Sequence, residues 1–149
     1  MGGTTPQDQV NECTVAELPD GRLLLNMRNY DRKQKSRKVS FSEDGGLSWS
    51  DVQPDTALIE PICQASMLFT EESEILWFLN PASENSRTNI TLKSNSDLGK
   101  TWKIEKVLNS GASAYSDLTL INSKTLGILY EGGKFSPYEG IVFTTFEMK

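Results

Sequence analysis

Five residues of this chain have the types and the placement to do chemistry together: Glu12, Arg28, Arg87, Tyr115 and Glu131. Two guanidinium forks can bind one planar carboxylate through charge-assisted hydrogen bonds. A tyrosine is a poor nucleophile at neutral pH, because its unperturbed pKa is about 10. A neighbouring carboxylate such as Glu12 can take its proton and activate it. Glu131 suits the task of holding an arginine in place. The chain has no histidine, so acid–base work falls to carboxylates, Tyr, Lys or Cys. Cys13 and Cys63 are the two cysteines; they cannot supply a Cys/His metal spacing, and neither a metal nor another cofactor is expected. Taken singly, each arginine or glutamate reads as a surface ion pair and the tyrosine as core. Their matching places in a repeat argue for the shared site.

The repeat is set by a turn motif. Ser42-Glu43-Asp44-Gly45-Gly46-Leu47-Ser48-Trp49 is followed by Asn95-Ser96-Asp97-Leu98-Gly99-Lys100-Thr101-Trp102, with the tryptophans 53 positions apart. The Asp can accept backbone N–H groups two or three residues on, and the Gly can adopt a conformation closed to other residues. The hydroxyl residue can close the loop, and the Trp can plug it into the core. A repeat of about 50 residues is the size of one β-propeller blade.

Strands are expected on both sides of each turn. Asn11 to Leu18 and Arg22 to Asn29 form a hairpin around Pro19-Asp20-Gly21. The charged stretch Tyr30 to Lys38 reads as a solvated hairpin loop. Val39 and Phe41 lead into the first Asp motif, and Asp51 to Pro61 reads as a connection. The pattern restarts at Ile62 to Phe69, Glu74 to Leu79 and Thr88 to Ser94, with a short strand over Trp102 to Leu108. It restarts again at Ala114 to Ile121, Lys124 to Tyr130 and Ile141 to Phe146. The fold class is therefore all-β, with about three four-stranded antiparallel blades. A lead-in covers 1–10, and the blades span roughly 11–55, 60–108 and 112–149 of one partial propeller domain over 1–149. In such a fold Glu12 and Tyr115 hold equivalent places on inner strands, and Arg28 and Glu131 end the strands that follow. Inner strands line a common axis, so these ends converge.

Composition narrows the partners. The chain has 149 residues, 37% hydrophobic and 23% charged, which fits a soluble β-rich domain. A net charge of −5 argues against nucleic acid, while local arginines can still attract an anion. Met1 to Val10 does not read as a signal peptide, and no apolar run is long enough to span a membrane; the compartment is left open. Cys13 and Cys63 take similar places in successive repeats and are expected as buried free thiols, one disulfide being the alternative. Asn89-Ile90-Thr91 matches a glycosylation sequon, a triplet common by chance.

The residues resemble those of the sialidases (neuraminidases), six-bladed β-propeller enzymes whose Asp-boxes are similar to the two turn motifs. The run from Asn11 to Asn29 resembles the segment that carries the catalytic glutamate, here Glu12, and the second carboxylate-binding arginine, here Arg28. Asn80-Pro81-Ala82-Ser83 with Arg87-Thr88-Asn89 is similar to the segment of the third such arginine, Arg87. Ala114-Tyr115-Ser116-Asp117-Leu118 is similar to that of the nucleophilic tyrosine, Tyr115. Leu129-Tyr130-Glu131 resembles the segment whose glutamate steadies the first arginine. The resemblance implies the C-terminal half of an exo-α-sialidase catalytic domain. This would be a retaining glycoside hydrolase that removes terminal sialic acid from sialylated glycans, with Tyr replacing the usual carboxylate nucleophile.

The chain has no Arg-Ile-Pro segment, where the family's first triad arginine lies, and no match to the acid/base aspartate that follows it. Loss of general acid help costs about 10²–10⁴-fold, so this chain alone is expected to be inactive or nearly so. Three blades do not close a ring, so its partner is expected to be the N-terminal half of the propeller or a second copy. The alternative to an enzyme is a non-catalytic propeller module that binds carbohydrate or protein. Such a module needs the arginines but not an activated tyrosine.

Overall fold

A computed structural model describes Thr4 and residues 9–148. The lead-in expected over 1–10 therefore falls largely outside the described residues. Ten antiparallel strands and no helix make up the described chain: β1 (Val10–Glu17), β2 (Leu23–Asn29), β3 (Ser36–Ser42), β4 (Gln53–Ile59), β5 (Ser66–Thr70), β6 (Ile75–Pro81), β7 (Thr88–Asn95), β8 (Lys103–Asn122), β9 (Thr125–Gly132) and β10 (Gly140–Glu147). One sheet has the order β1-β2-β3-β4 and the other β5-β6-β7-β8-β9-β10. The all-β, blade-like architecture is the one expected. The first strand of each meander packs beside the next, β1 against β5 and β5 against β8.

The middle meander shows why the sequence folds this way. Side chains alternate across a strand, so a strand covered on both faces reads as an unbroken apolar run. β6 is such a strand. Its Leu76 and Phe78 face a core with Ala16, Leu18 and Leu24 of the first meander and Leu58, Ala65 and Met67 beside them. Its Trp77 and Leu79 face a second core with Ile90, Leu92, Leu118, Leu126, Ile128 and Tyr130. Full burial of a side chain such as Phe78 is worth roughly 1.5–3 kcal/mol relative to exposure. The cores lie between meanders, so the meanders hold one another in place.

The two Asp turns are built alike. Asp44 Oδ1 accepts the N–H groups of Leu47 and Ser48 at 3.0 and 2.8 Å, and Oδ2 accepts the Ser48 hydroxyl at 2.6 Å. Asp97 accepts Lys100, Thr101 and the Thr101 hydroxyl at 3.1, 2.9 and 2.6 Å. The turn glycines, Gly46 and Gly99, have φ of 87° and 86°, the left-handed region where a β-carbon is strained. These donors hold the Asp44 carboxyl down at about 2. Trp102 packs on Phe78 at 5.5 Å between ring centroids, as expected of the motif's tryptophan. Trp49 is half-buried and outside both cores.

Several expectations need correction. Asp51 to Pro61 is not a plain connection, since it contains β4. Among the described residues β4 pairs with β3 alone and so tolerates Pro54, which cannot donate to a ladder. The strands expected over 102–108 and 114–121 are one 20-residue strand, β8. It pairs with β7 up to Ala112 and with β9 from Ser113. Where the partner changes, the Asn109 side chain accepts Gly111 N–H and donates to Ala112 O. The third meander thus has three strands in the described chain, the last part of β8, then β9 and β10. The charged stretch 30–38 is not all solvated, because Arg37 and Lys38 are buried in β3. Both cysteines are free, but only Cys63 is buried and Cys13 is exposed.

Candidate active site

Two β-bulges present the central pair. In β1, Asn11 pairs with Arg28 and Cys13 with Met27, so Glu12 has no partner across the ladder. Its φ is +39°, uncommon for a residue with a β-carbon. In β8, Ser113 pairs with Gly132 and Ser116 with Tyr130, so Ala114 and Tyr115 together oppose Glu131. A bulge re-aims a side chain while the strand continues. Both bulges send their residue to one place, where the Tyr115 hydroxyl donates to Glu12 Oε1 at 2.6 Å.

The arginines flank this contact. Arg28, near the end of β2, donates from Nη1 to Glu12 Oε2 and to the Tyr115 hydroxyl at 3.2 Å. Its guanidinium lies 4.8 Å from the centre of the Tyr30 ring, a cation–π arrangement. Its Nε is buried and has no hydrogen-bond partner among the described residues. Arg87 precedes β7. Its Nη2 donates to Ile62 O at 3.3 Å and its Nη1 to the Tyr138 hydroxyl at 2.5 Å. Its guanidinium carbon lies 5.6 Å from the centre of the Tyr115 ring. Glu131, on β9, accepts the Tyr115 backbone N–H at 3.1 Å. The structure thus brings the five residues together, with Glu131 on the tyrosine's backbone and not on an arginine among the described residues. Tyr115 and Glu131 also line a cavity of about 210 Å³ with Ser116, Asp117 and Tyr130.

Electrostatics fix where the proton rests. Burial pushes the Glu12 carboxyl up, but the hydrogen bonds from Tyr115 and Arg28 and the charges of Arg28 and Arg87 outweigh it, and the net shift is down. The hydrogen bond to Glu12, with burial and the Glu12 charge, pushes the Tyr115 phenol up. Burial lowers Arg28, but contact with Glu12 more than offsets it, so Arg28 is held charged. At neutral pH the site therefore holds a carboxylate, a neutral phenol and a cation in one hydrogen-bonded cluster. A phenol that attacks an electrophile has an acceptor for its proton at 2.6 Å. Two arginines beside it are suited to an anionic carboxylate. Among the described residues no group of three or more His, Cys, Asp or Glu could hold a metal ion.

Sequence reasoning missed four contributors. Tyr138 lies in the loop before β10 and is exposed, and nothing in its surroundings marks it as the partner of Arg87. Gln64 accepts Ser116 N–H and donates to Ser116 O, at 2.9 and 3.0 Å. It ties the link before β5 to the residue after Tyr115. Arg37 and Glu60 form a buried ion pair behind Glu12. The sequon at Asn89 falls in β7, where Ile90 and Thr91 are buried.

The chain is similar to known proteins throughout. A family model described as BNR repeat-like domain matches residues 2–128. The sialidase of Micromonospora viridifaciens is 38% identical over 132 residues, covering 83% of this chain and 20% of that protein. Sialidase-2 of Cricetulus griseus is 31% identical over 155 residues, covering 93% of this chain and 40% of that protein. The solved structure of a Hadza microbial sialidase aligns with a TM-score of 0.84 at 34% identity, over 98% of this chain and 29% of that one. The chain thus spans a minor part of each of these relatives. It belongs to the BNR repeat-like domain family, and its meanders are blades of a sialidase-type β-propeller.

Proposed function

We propose that this chain supplies the nucleophile, its base and two carboxylate-binding arginines of an exo-α-sialidase. The observation that carries this reading is the 2.6 Å contact between Tyr115 and Glu12, set between two arginines. The substrate is a sialylated glycan. Arg28 and Arg87 bind the sialic acid carboxylate, which puts the anomeric carbon within reach of Tyr115. The Tyr115 oxygen forms the new bond as the glycosidic C–O bond breaks, and the phenol proton passes to Glu12. The departing oxygen takes a proton from an acid outside the five residues. Water then attacks the tyrosyl-linked sugar and gives up a proton to the conjugate base of that acid, Glu12 returns its own proton to the departing Tyr115 oxygen, and configuration is retained over the two displacements. Glu131, on the Tyr115 backbone, keeps the nucleophile's strand in place and steadies an arginine of the complete site.

Within this reading 1–149 is one partial propeller unit, completed by the remaining blades of a longer protein or by a second copy. The 149 residues include no Arg-Ile-Pro segment. The chain alone is therefore expected to turn over a fluorogenic sialoside negligibly, and normal turnover would overturn this part. In a longer protein that carries the chain, Tyr115→Phe is expected to keep sialic acid binding and abolish hydrolysis. Hydrolysis unchanged by the substitution would defeat the assignment of Tyr115 as nucleophile, and binding without hydrolysis in the unsubstituted protein would favour a carbohydrate-binding module.

A further inference from the structure

Arg37 and Glu60 form an ion pair at 3.0 Å with side chains 0% and 1% exposed. A buried pair is weak evidence for stability, since desolvation offsets much of the attraction. What distinguishes this one is where its remaining hydrogen bonds go. Arg37 donates to Asn26 Oδ1 at 2.6 Å, to Cys63 O at 2.7 Å and, at the longer distance of 3.5 Å, to Glu12 O. Glu60 accepts the backbone N–H groups of Asn29 at 2.5 Å and Cys63 at 3.3 Å.

These backbone atoms belong to the site's three branches. Glu12 O is the carbonyl of the proposed base itself, at the bulge. Asn29 is the residue after Arg28. Cys63 is the residue after Ile62, whose carbonyl receives Arg87. The pair thus clamps both polar backbone groups of Cys63, and beside them Ile62 sits at a φ of +57°. A β-branched residue there is strained and persists only when its surroundings hold it.

We propose that the Arg37–Glu60 pair is a positioning device that fixes the Glu12 bulge, the end of β2 and the strained Ile62 turn relative to one another. Its role as an aid to catalysis rests on the sialidase reading above. Its role in setting the Glu12–Tyr115 contact does not. Lysine cannot replace Arg37, because one ammonium cannot reach four acceptors spread over Asn26, Glu60, Cys63 and Glu12.

The test is the titration of Tyr115 in the chain itself, read as phenolate ultraviolet absorbance after subtraction of Tyr115→Phe. Arg37→Lys keeps the charge and loses the fork. In a variant that still unfolds cooperatively, the Tyr115 midpoint is expected to move down toward that of a free tyrosine, because Glu12 leaves it. An unchanged midpoint in the folded variant overturns the proposal. Glu60→Gln, nearly isosteric, is the second variant, with the same expectation. If neither variant folds, the pair acts through stability alone and the positioning role is rejected. In a longer sialidase carrying the chain, the folded variants are expected to lose kcat more than they raise KM. Should Tyr115→Phe leave hydrolysis intact, the functional reading fails while the titration still decides the clamp.

Discussion

Glu12→Gln removes the charge at the centre of the site and changes little else. A glutamine has one acceptor oxygen where Glu12 has two. It can accept from Tyr115 or from Arg28, and its amide nitrogen cannot accept from the other. One donor is left without its partner. A hydrogen bond to a charged group is worth about 1.5–3 kcal/mol when well shielded. Here the Arg28 side chain is 10% exposed and that of Glu12 is 31% exposed, so solvent screening reduces the loss to about 1–2 kcal/mol. The loss depends on pH in a defined direction. The Glu12 carboxyl is lowered in the fold, so its stabilisation is present above its ordinary value of 4.5 and is lost as pH falls through the lowered folded value. The Tyr115 phenol is raised, so its contribution is present below 10.0 and is lost as pH rises through the raised folded value. Urea unfolding across pH is therefore expected to give a wild-type advantage with a plateau between these limits that closes at both ends. The Tyr115 phenol in Glu12→Gln is expected to titrate lower than in the wild type. An advantage that persists unchanged in acid, or a Tyr115 midpoint that does not move, would refute the reasoning.

Two further outcomes follow from the packing. Phe78→Ala empties the seam between the first two meanders, where Phe78 is 0% exposed and packs on Trp102. It is expected to cost about 3–5 kcal/mol, read as a lower urea midpoint with a similar slope; a loss below 1 kcal/mol would mean that the seam does not hold the meanders together. Cys13 is exposed, whereas Cys63 is buried and burial pushes its thiol up to about 11. A thiol reagent at neutral pH is expected to label Cys13 rapidly and Cys63 only on unfolding, as mapped by mass spectrometry; rapid labelling of both would contradict the packing around the Ile62 turn.

The Asp turns were legible in the sequence because each is a local motif. Its carboxylate, glycine and hydroxyl residue lie within six positions, and the same types recur in the second copy. The convergence of Glu12, Arg28, Arg87, Tyr115 and Glu131 was legible through their places in the repeat. Arg37 was not. It lies in a run of six charged residues, and its partner Glu60 is 23 positions away in a stretch read as a connection. One sequence carries no sign that this particular charge turns inward. The unbroken course of β8 was hidden for a different reason. Asn109-Ser110-Gly111 has the composition of a turn, yet the Asn109 side chain satisfies the local backbone and the strand passes from one neighbour to the next. Tyr138 escaped notice because a loop residue's contact with Arg87, 51 positions away, depends on the tertiary fold.

The most direct measurement of the central claim is covalent trapping. A longer protein that carries this chain is incubated with a fluorinated sialosyl fluoride, which forms a glycosyl-enzyme and slows its hydrolysis, and is then digested and mapped by mass spectrometry. The expected result is a single sialosyl adduct on the peptide containing Tyr115, absent in Tyr115→Phe. Active protein with no adduct, or with the adduct on another residue, would contradict the assignment of Tyr115 as the nucleophile.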